Sequence, residues 1–165
     1  MKNCVAIPFV TIVAALSGAF AMPAAVAGTA TSQQADALVG LIDATRVQHG
    51  VRPLHRSRLL DRSASLKASE IRRCNSFSHT PCGMSFTRTF QIAGYRRHKR
   101  MGENLYWGSG GLSSPSSAIA AWLNSPPHRA NLLGRAWREL GVSAVYSPSM
   151  FGAQGVWLYV LQFGA

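Results

Sequence analysis

Two of the five histidines of this 165-residue chain lie in segments rich in turn-forming residues. His79 comes shortly before Pro81, and His128 directly follows Pro126-Pro127. Glu103, one of only six acidic residues, lies between them in the chain. Two imidazoles and one carboxylate are ligand types of a zinc-type site with an open coordination position. The spacing does not separate such a site from three side chains engaged in structural hydrogen bonds, so both interpretations stay open.

The same residues allow hydrolytic chemistry to be considered. A metal held by His79, Glu103 and His128 would activate water, or Glu103 would act as a general base between two histidines. A Ser125–His128 nucleophile pair is disfavoured, because two prolines interrupt a helix there and no residue is identified to orient the base. The G-x-S-x-G turn of α/β hydrolases is also absent from the sequence. The sequence therefore assigns no catalytic residue, and Glu103 is the candidate if the protein is an enzyme.

The N-terminal pattern is typical of an exported protein. Met1-Lys2 precedes an apolar run over 5–20, and small residues lead to Ala25-Val26-Ala27 before Gly28. This order predicts a signal peptide over 1–27. The run is shorter than the ~20 apolar residues of a membrane anchor. We expect a disordered segment over 28–34 and one domain over 35–165, with no transmembrane segment after cleavage.

The cysteines agree with export. Cys4 would leave with the signal peptide, and Cys74 and Cys82 would remain. An even pair in an oxidising compartment predicts a disulfide. Such a short loop gains little stability from closure entropy, so we expect the bond to hold His79, which lies inside the loop.

The formal net charge of +11 favours anionic surfaces as partners. One dense basic cluster spans Tyr95-Arg96-Arg97-His98-Lys99-Arg100. It is interpreted either as a solvated loop or as a patch for anions or cell-wall polymer. The basic residues are not interleaved with aromatics in a stripe, so no specific nucleic-acid partner is predicted.

Elements on either side must position these residues. Apolar spacing predicts a first helix capped by Thr31 or Ser32 and a second helix that exposes Lys67. Ser114-Pro115 predicts the start of a further helix. The last quarter alternates like strands, and the segment Val156–Leu161 is apolar on both faces. Such a strand is covered on both sides, which predicts layers of helix, sheet and helix. The buried helical positions are Ala35, Leu38, Val39, Ile42, Leu60, Ala64, Ala68, Ile71, Ile119, Trp122 and Leu123.

Three segments resemble the signature segments of bacterial secreted CAP domains (cysteine-rich secretory, antigen 5, pathogenesis-related 1). They are Phe77-Ser78-His79, Gly102-Glu103-Asn104 and 122–131, which reads WLNSPPHRAN, in that order. Residues 160–164 also resemble the family's closing strand. The resemblance covers roughly 35–165. It implies an α+β fold, the three-layer α-β-α sandwich of the CAP type with a central cleft.

The resemblance also implies the site and its partners. Some animal members bind a divalent cation through two histidines and two glutamates. His79, Glu103 and His128 match three of these positions, and Ser125 stands where the second glutamate would be, so a three-ligand zinc-type site is the expectation. The implied function is an extracellular binding or interaction module, a monomer, for a lipid, cell-wall or surface ligand; the alternatives are a metal-dependent hydrolase or a basic anion-binding protein. The cleft set is His79, Glu103, Asn104, Ser125, His128, Arg129 and Asn131.

Overall fold

A four-stranded sheet lies between helices in the computed structural model, which describes residues 24–95 and 100–165, with side chains from residue 30. The strands are β1 His55–Arg56, β2 Met101–Ser109, β3 Glu139–Met150 and β4 Ala153–Gly164. The helices are α1 Ala24–Gln48, α2 Arg58–Cys74, α3 Arg88–Ile92, α4 Pro115–Asn124 and α5 Pro126–Leu132. Two short 3₁₀ turns span Pro81–Gly83 and Gly110–Leu112.

The sheet has the strand order β1-β3-β4-β2. β1 is parallel to β3, and the other pairs are antiparallel. β3 and β4 form a long hairpin that turns through Phe151 and Gly152, both with positive φ. In the register of β2 on β4, Glu103 stands opposite Gln162. Two polar residues therefore face each other near the C-terminal end of β4.

The two faces of β4 are buried in separate cores, as its apolar pattern predicted. One face packs on α2 and the other packs on α1 and α4. Close approach of α2 is possible because Gly141 on β3 has no side chain: a Cβ there would collide with the backbone at Leu60. The three-layer α-β-α sandwich is thereby confirmed. The α2-side core includes Ala64, Ala68, Ile71, Val156, Leu158 and Val160; the α1-side core includes Leu38, Ile42, Trp122, Tyr159, Leu161 and Phe163.

Helix α1 begins earlier than the sequence indicated. It runs from Ala24, so residues 28–34, expected to be disordered, are helical. The Tyr159 hydroxyl donates a hydrogen bond to Gln34 Oε1 at 3.0 Å, and this contact ties the early turns to the sheet. Residues 1–23 of the signal peptide lie outside the described residues, and cleavage after Ala27 stays a prediction. No helix in the described ranges is both long enough and apolar enough to cross a membrane.

Lys67 of α2 is buried, contrary to the prediction from the sequence. The sequence placed it on the exposed face with Arg62, but its side chain is fully buried. Its Nζ donates a hydrogen bond to the carbonyl of His79 at 2.7 Å. The segment from 75 to 82 folds back over α2, so a position that is polar on the isolated helix becomes interior.

Candidate functional site

His79 lies on the loop between α2 and the first 3₁₀ turn. The predicted disulfide joins Cys74 and Cys82, with their Cα atoms 5.8 Å apart, and closes this loop. The Lys67 ammonium holds the same loop from beneath through the His79 carbonyl. The loop that carries His79 is thus held by one disulfide and one charge-assisted hydrogen bond.

His79 and Glu103 form the central pair of the site. Nδ1 of His79 donates to Oε1 of Glu103 at 2.8 Å. The Glu103 side chain is fully buried, whereas 48% of the His79 side chain is exposed. A buried carboxylate thereby orients an imidazole that is half exposed to solvent.

The second oxygen of Glu103 is held from the neighbouring strand. Nε2 of Gln162 donates to Oε2 of Glu103 at 2.8 Å and to Oγ1 of Thr89 at 3.3 Å. The Ser63 hydroxyl in turn donates to Thr89 at 3.1 Å. All four residues are buried, so these contacts form a chain from α2 to the site. Gln162 was not among the predicted site residues, although a single amide in a buried apolar strand was its signal in the sequence.

Gly102 matters for packing rather than for a turn. A glycine before Glu103 could permit a sharp backbone turn, yet Gly102 lies in β2 and its φ is outside the positive region. A Cβ at this position would stand 2.8 Å from Cζ2 of Trp137. The absent side chain lets the indole cover β2 beside Glu103.

His128 lies in a short helix and not in the loop that the prolines suggested. Pro126-Pro127 occupies the first turn of α5, where a missing backbone N–H costs no helical hydrogen bond. Ser125 precedes α5, and its Oγ is 2.8 Å from Nδ1 of His128. The prolines therefore permit the Ser125–His128 contact that they were expected to prevent. Burial lowers the pKa of His128, and the nearby His79 imidazole lowers it further, so the two rings share one electrostatic environment.

Two asparagines brace the site from regular elements, Asn104 in β2 and Asn131 in α5. Nδ2 of the buried Asn104 donates to the His128 carbonyl at 2.9 Å. Nδ2 of Asn131 donates to Oδ1 of Asn104 at 3.0 Å and to the Glu103 carbonyl at 3.3 Å. These bonds tie β2 to α5 and so set Glu103 relative to His128.

Arg129 does not join this network. Its side chain is exposed, and its place in the cleft set stays a prediction. Within the ranges 24–95 and 100–165 it forms no ion pair. The hydrogen-bonded core of the site is therefore His79, Glu103, Asn104, Ser125, His128 and Asn131, supported by Gln162.

The family follows from comparison with known proteins. The model of the cysteine-rich secretory protein family, CAP, matches residues 39–163. The chain belongs to the CAP family. That stretch contains every residue of the site described above.

Bacterial CAP proteins are among its relatives. The uncharacterized protein YkwD of Bacillus subtilis is 31% identical over 123 residues, which are 71% of this chain and 44% of YkwD. An extracellular SCP-domain protein of Bacillus anthracis superposes with a TM-score of 0.72 at 22% identity, over 87% of this chain and 44% of that one. An outer surface protein of Borrelia burgdorferi superposes with a TM-score of 0.66 at 20% identity, over 80% of this chain and 92% of that one. The chain thus spans less than half the length of the two Bacillus proteins.

The side chains at this CAP site do not fit the cation that the resemblance implied. Both oxygens of Glu103 accept hydrogen bonds, from His79 and from Gln162. Ser125 is bonded to His128 and brings no carboxylate. Among the described residues, no three or more His, Cys, Asp or Glu side chains are grouped as a metal site would require. The arrangement is a hydrogen-bonded cluster of polar side chains.

Proposed function

We propose that this CAP domain is an exported binding module that holds a polar cell-surface ligand in the cleft of His79, Glu103 and His128. The observation that carries the proposal is the His79–Glu103 pair. A half-exposed imidazole is oriented by a fully buried carboxylate, which is itself held by Gln162. The buried carboxylate fixes the direction in which the half-exposed ring is presented, as recognition of a ligand by hydrogen bonds requires.

The chemistry of the cleft favours a hydrogen-bonding ligand over a lipid tail. Its groups are two imidazoles, the Ser125 hydroxyl and the partly buried side-chain amide of Asn131. Imidazole and hydroxyl groups both donate and accept hydrogen bonds, as sugar hydroxyls and peptide groups require. The ligand class we propose is therefore the glycan or peptide portion of a cell wall.

Export is part of the same proposal. The pattern over 1–27 is that of a signal peptide. The Bacillus anthracis and Borrelia burgdorferi relatives are described as an extracellular and an outer surface protein. The disulfide between Cys74 and Cys82 is of the kind that persists in an oxidising compartment.

Hydrolysis is the second candidate, and the contact between Ser125 and His128 favours it. Oγ of Ser125 is 2.8 Å from a ring nitrogen, the distance that a serine nucleophile needs from its base. No carboxylate contacts His128 in the described part of the chain, whereas a nucleophile's base is commonly oriented by a third group. The binding proposal therefore ranks first.

Cosedimentation with purified peptidoglycan sacculi tests the binding proposal. We expect the wild-type chain to sediment with the sacculi and the double variant H79A/H128A to lose at least tenfold in affinity. The double variant H49A/H55A is the matched control, since both of these histidines are exposed and lie outside the cleft. It should bind like the wild type.

Two outcomes would overturn the proposal. The first is equal sedimentation of H79A/H128A and the wild type. The second is turnover of a peptide or ester panel by the wild type that Glu103→Gln or Ser125→Ala abolishes, which would make the cleft an active site. Zinc titration tests separately whether the site binds a cation. A metal site predicts that the single variants H79A and H128A each lose zinc affinity.

A further inference from the structure

A second polar groove lies at the opposite end of the sheet from the cleft. It has a volume of about 580 Å³ and opens between the C-terminal end of α2 and the β3–β4 hairpin. Glu103 pairs with Gln162 on β4, whereas the hairpin pairs Met150 with Ala153. At ~3.3 Å per residue, the groove is about 30 Å along the strand from Glu103. It is a separate site from the cleft.

The charge lining this groove is entirely positive. Arg72 and Arg73 line one wall, and no aspartate or glutamate is among the lining residues. Neither guanidinium has a carboxylate within 4.0 Å in the described ranges, and both side chains are exposed. The one described contact of the Arg73 guanidinium is with the sulfur of Met84, at 4.0 Å. The helix dipole stabilises basic residues at a helix C-terminus, but it does not explain why neutral hydrogen-bond donors line the same groove.

Neutral donors complete the lining. Asn75 accepts the Phe151 N–H on Oδ1 at 3.2 Å, which orients its amide and leaves its NH₂ for a ligand. The hydroxyls of Ser69 and Ser149 line the same groove. The carbonyls of Ile71 and Arg72 are capped by the N–H groups of Ser76 and Asn75, so the negative end of α2 is covered.

We propose that this groove binds a phosphate-class oxyanion. Two guanidiniums that can each bind phosphate oxygens bidentately, together with amide and hydroxyl donors, form the recognition chemistry of such anions. The volume exceeds that of one phosphate, so a ligand with two linked phosphates fits the lining better. The source is either a soluble phosphate compound or the phosphates of a surface polymer or lipid. The assignment does not depend on the function of the cleft.

Calorimetric titration with inorganic pyrophosphate tests the site in the whole exported chain. We expect the double variant R72Q/R73Q to lose at least tenfold in affinity. The double variant R58Q/R62Q is the matched control: it removes the same charge from exposed positions on the same helix that do not line the groove. It should keep affinity within about twofold. Thermal unfolding of each variant checks that the fold is retained, and R72K/R73K should recover part of the affinity.

The outcomes are distinct. Equal losses in R72Q/R73Q and R58Q/R62Q would show attraction by net charge alone and overturn the proposal, as would the absence of pyrophosphate binding in the wild type. If phosphatidylglycerol vesicles displace pyrophosphate from the wild type, and R72Q/R73Q binds the same vesicles at least tenfold more weakly than the wild type does, the source is a lipid headgroup. If they do not compete, the source is a soluble or polymer-bound phosphate. Sedimentation with sacculi that depends on His79 and His128 would be unaffected by either result.

Discussion

Replacing Gln162 with methionine tests whether the site is held from within the sheet. The Gln162 side chain is fully buried and donates to Oε2 of Glu103 and to Oγ1 of Thr89. Methionine keeps the length of the side chain but donates nothing. The buried carboxylate then loses one of its two side-chain donors.

The magnitude follows from those two bonds. Losing the hydrogen bond to a charged, buried oxygen costs about 1.5–3 kcal/mol, and losing the longer bond to Thr89 costs about 0.5–1.5 kcal/mol. Part of this is offset because Oε1 of Gln162 accepts no hydrogen bond from the described residues, and removing it relieves a buried unpaired oxygen. We expect the free energy of unfolding to fall by about 2–3 kcal/mol, and the melting temperature by about 5–10 °C for a domain of this size.

Urea unfolding followed by tryptophan fluorescence measures this change. Gln154→Met is the matched control, because Gln154 lies exposed on the same strand and should change stability by less than about 0.5 kcal/mol. The ¹⁵N chemical shifts of the His79 ring should change in Gln162→Met and remain unchanged in Gln154→Met. A loss for Gln162→Met no larger than that of the control would refute the account of how Glu103 is held.

Two further predictions concern His128 and Gly102. The folded-state pKa of His128 lies below its ordinary value of 6.5, so its contribution to stability is present above about pH 6.5 and is lost as the pH falls below that value. Urea unfolding at pH 7.5 and 5.5 should show a smaller acid-induced loss of stability for His128→Asn than for the wild type or His55→Asn. Equal losses of stability in all three proteins would contradict the burial of the His128 ring. Gly102→Ala should lower the free energy of unfolding by about 1–3 kcal/mol, because the added Cβ would press on Trp137. The control Gly111→Ala should be nearly neutral, since a Cβ there has no neighbour within 4 Å. Equal melting temperatures of the two variants would argue against close packing at β2.

The fold was largely predictable because its elements carry strong local patterns. The apolar stripes of α1 and α2 have the helical period, and Ser114-Pro115 marks the start of α4, where Ser114 caps the N–H of Ser117. The segment Val156–Leu161 is apolar on both faces and lies in both cores. The start of α1 at Ala24 was missed because the apolar stripe on which the prediction rested begins only at Ala35.

The site was predictable only as a set of residue types. Their family motifs placed His79, Glu103 and His128 in one cleft, but not the donors around them. Arg129 was counted in that set and is exposed outside the network. Gln162 was left out because the pairing of β2 with β4, which brings it to Glu103, is a long-range contact with no local signal.

Local sequence patterns were enough to predict the main helices, the C-terminal strands, the disulfide pair and the polar residues of the site, since periodicity, capping and cysteine count are local properties. The hydrogen-bond partner of each polar group depended instead on how distant segments pack. Folding of the 75–82 segment over α2 buried Lys67 beneath His79, and the register of β2 on β4 assigned both oxygens of Glu103 to hydrogen bonds. These outcomes depend on where distant segments meet, and a buried polar group must find its partner there because water is excluded.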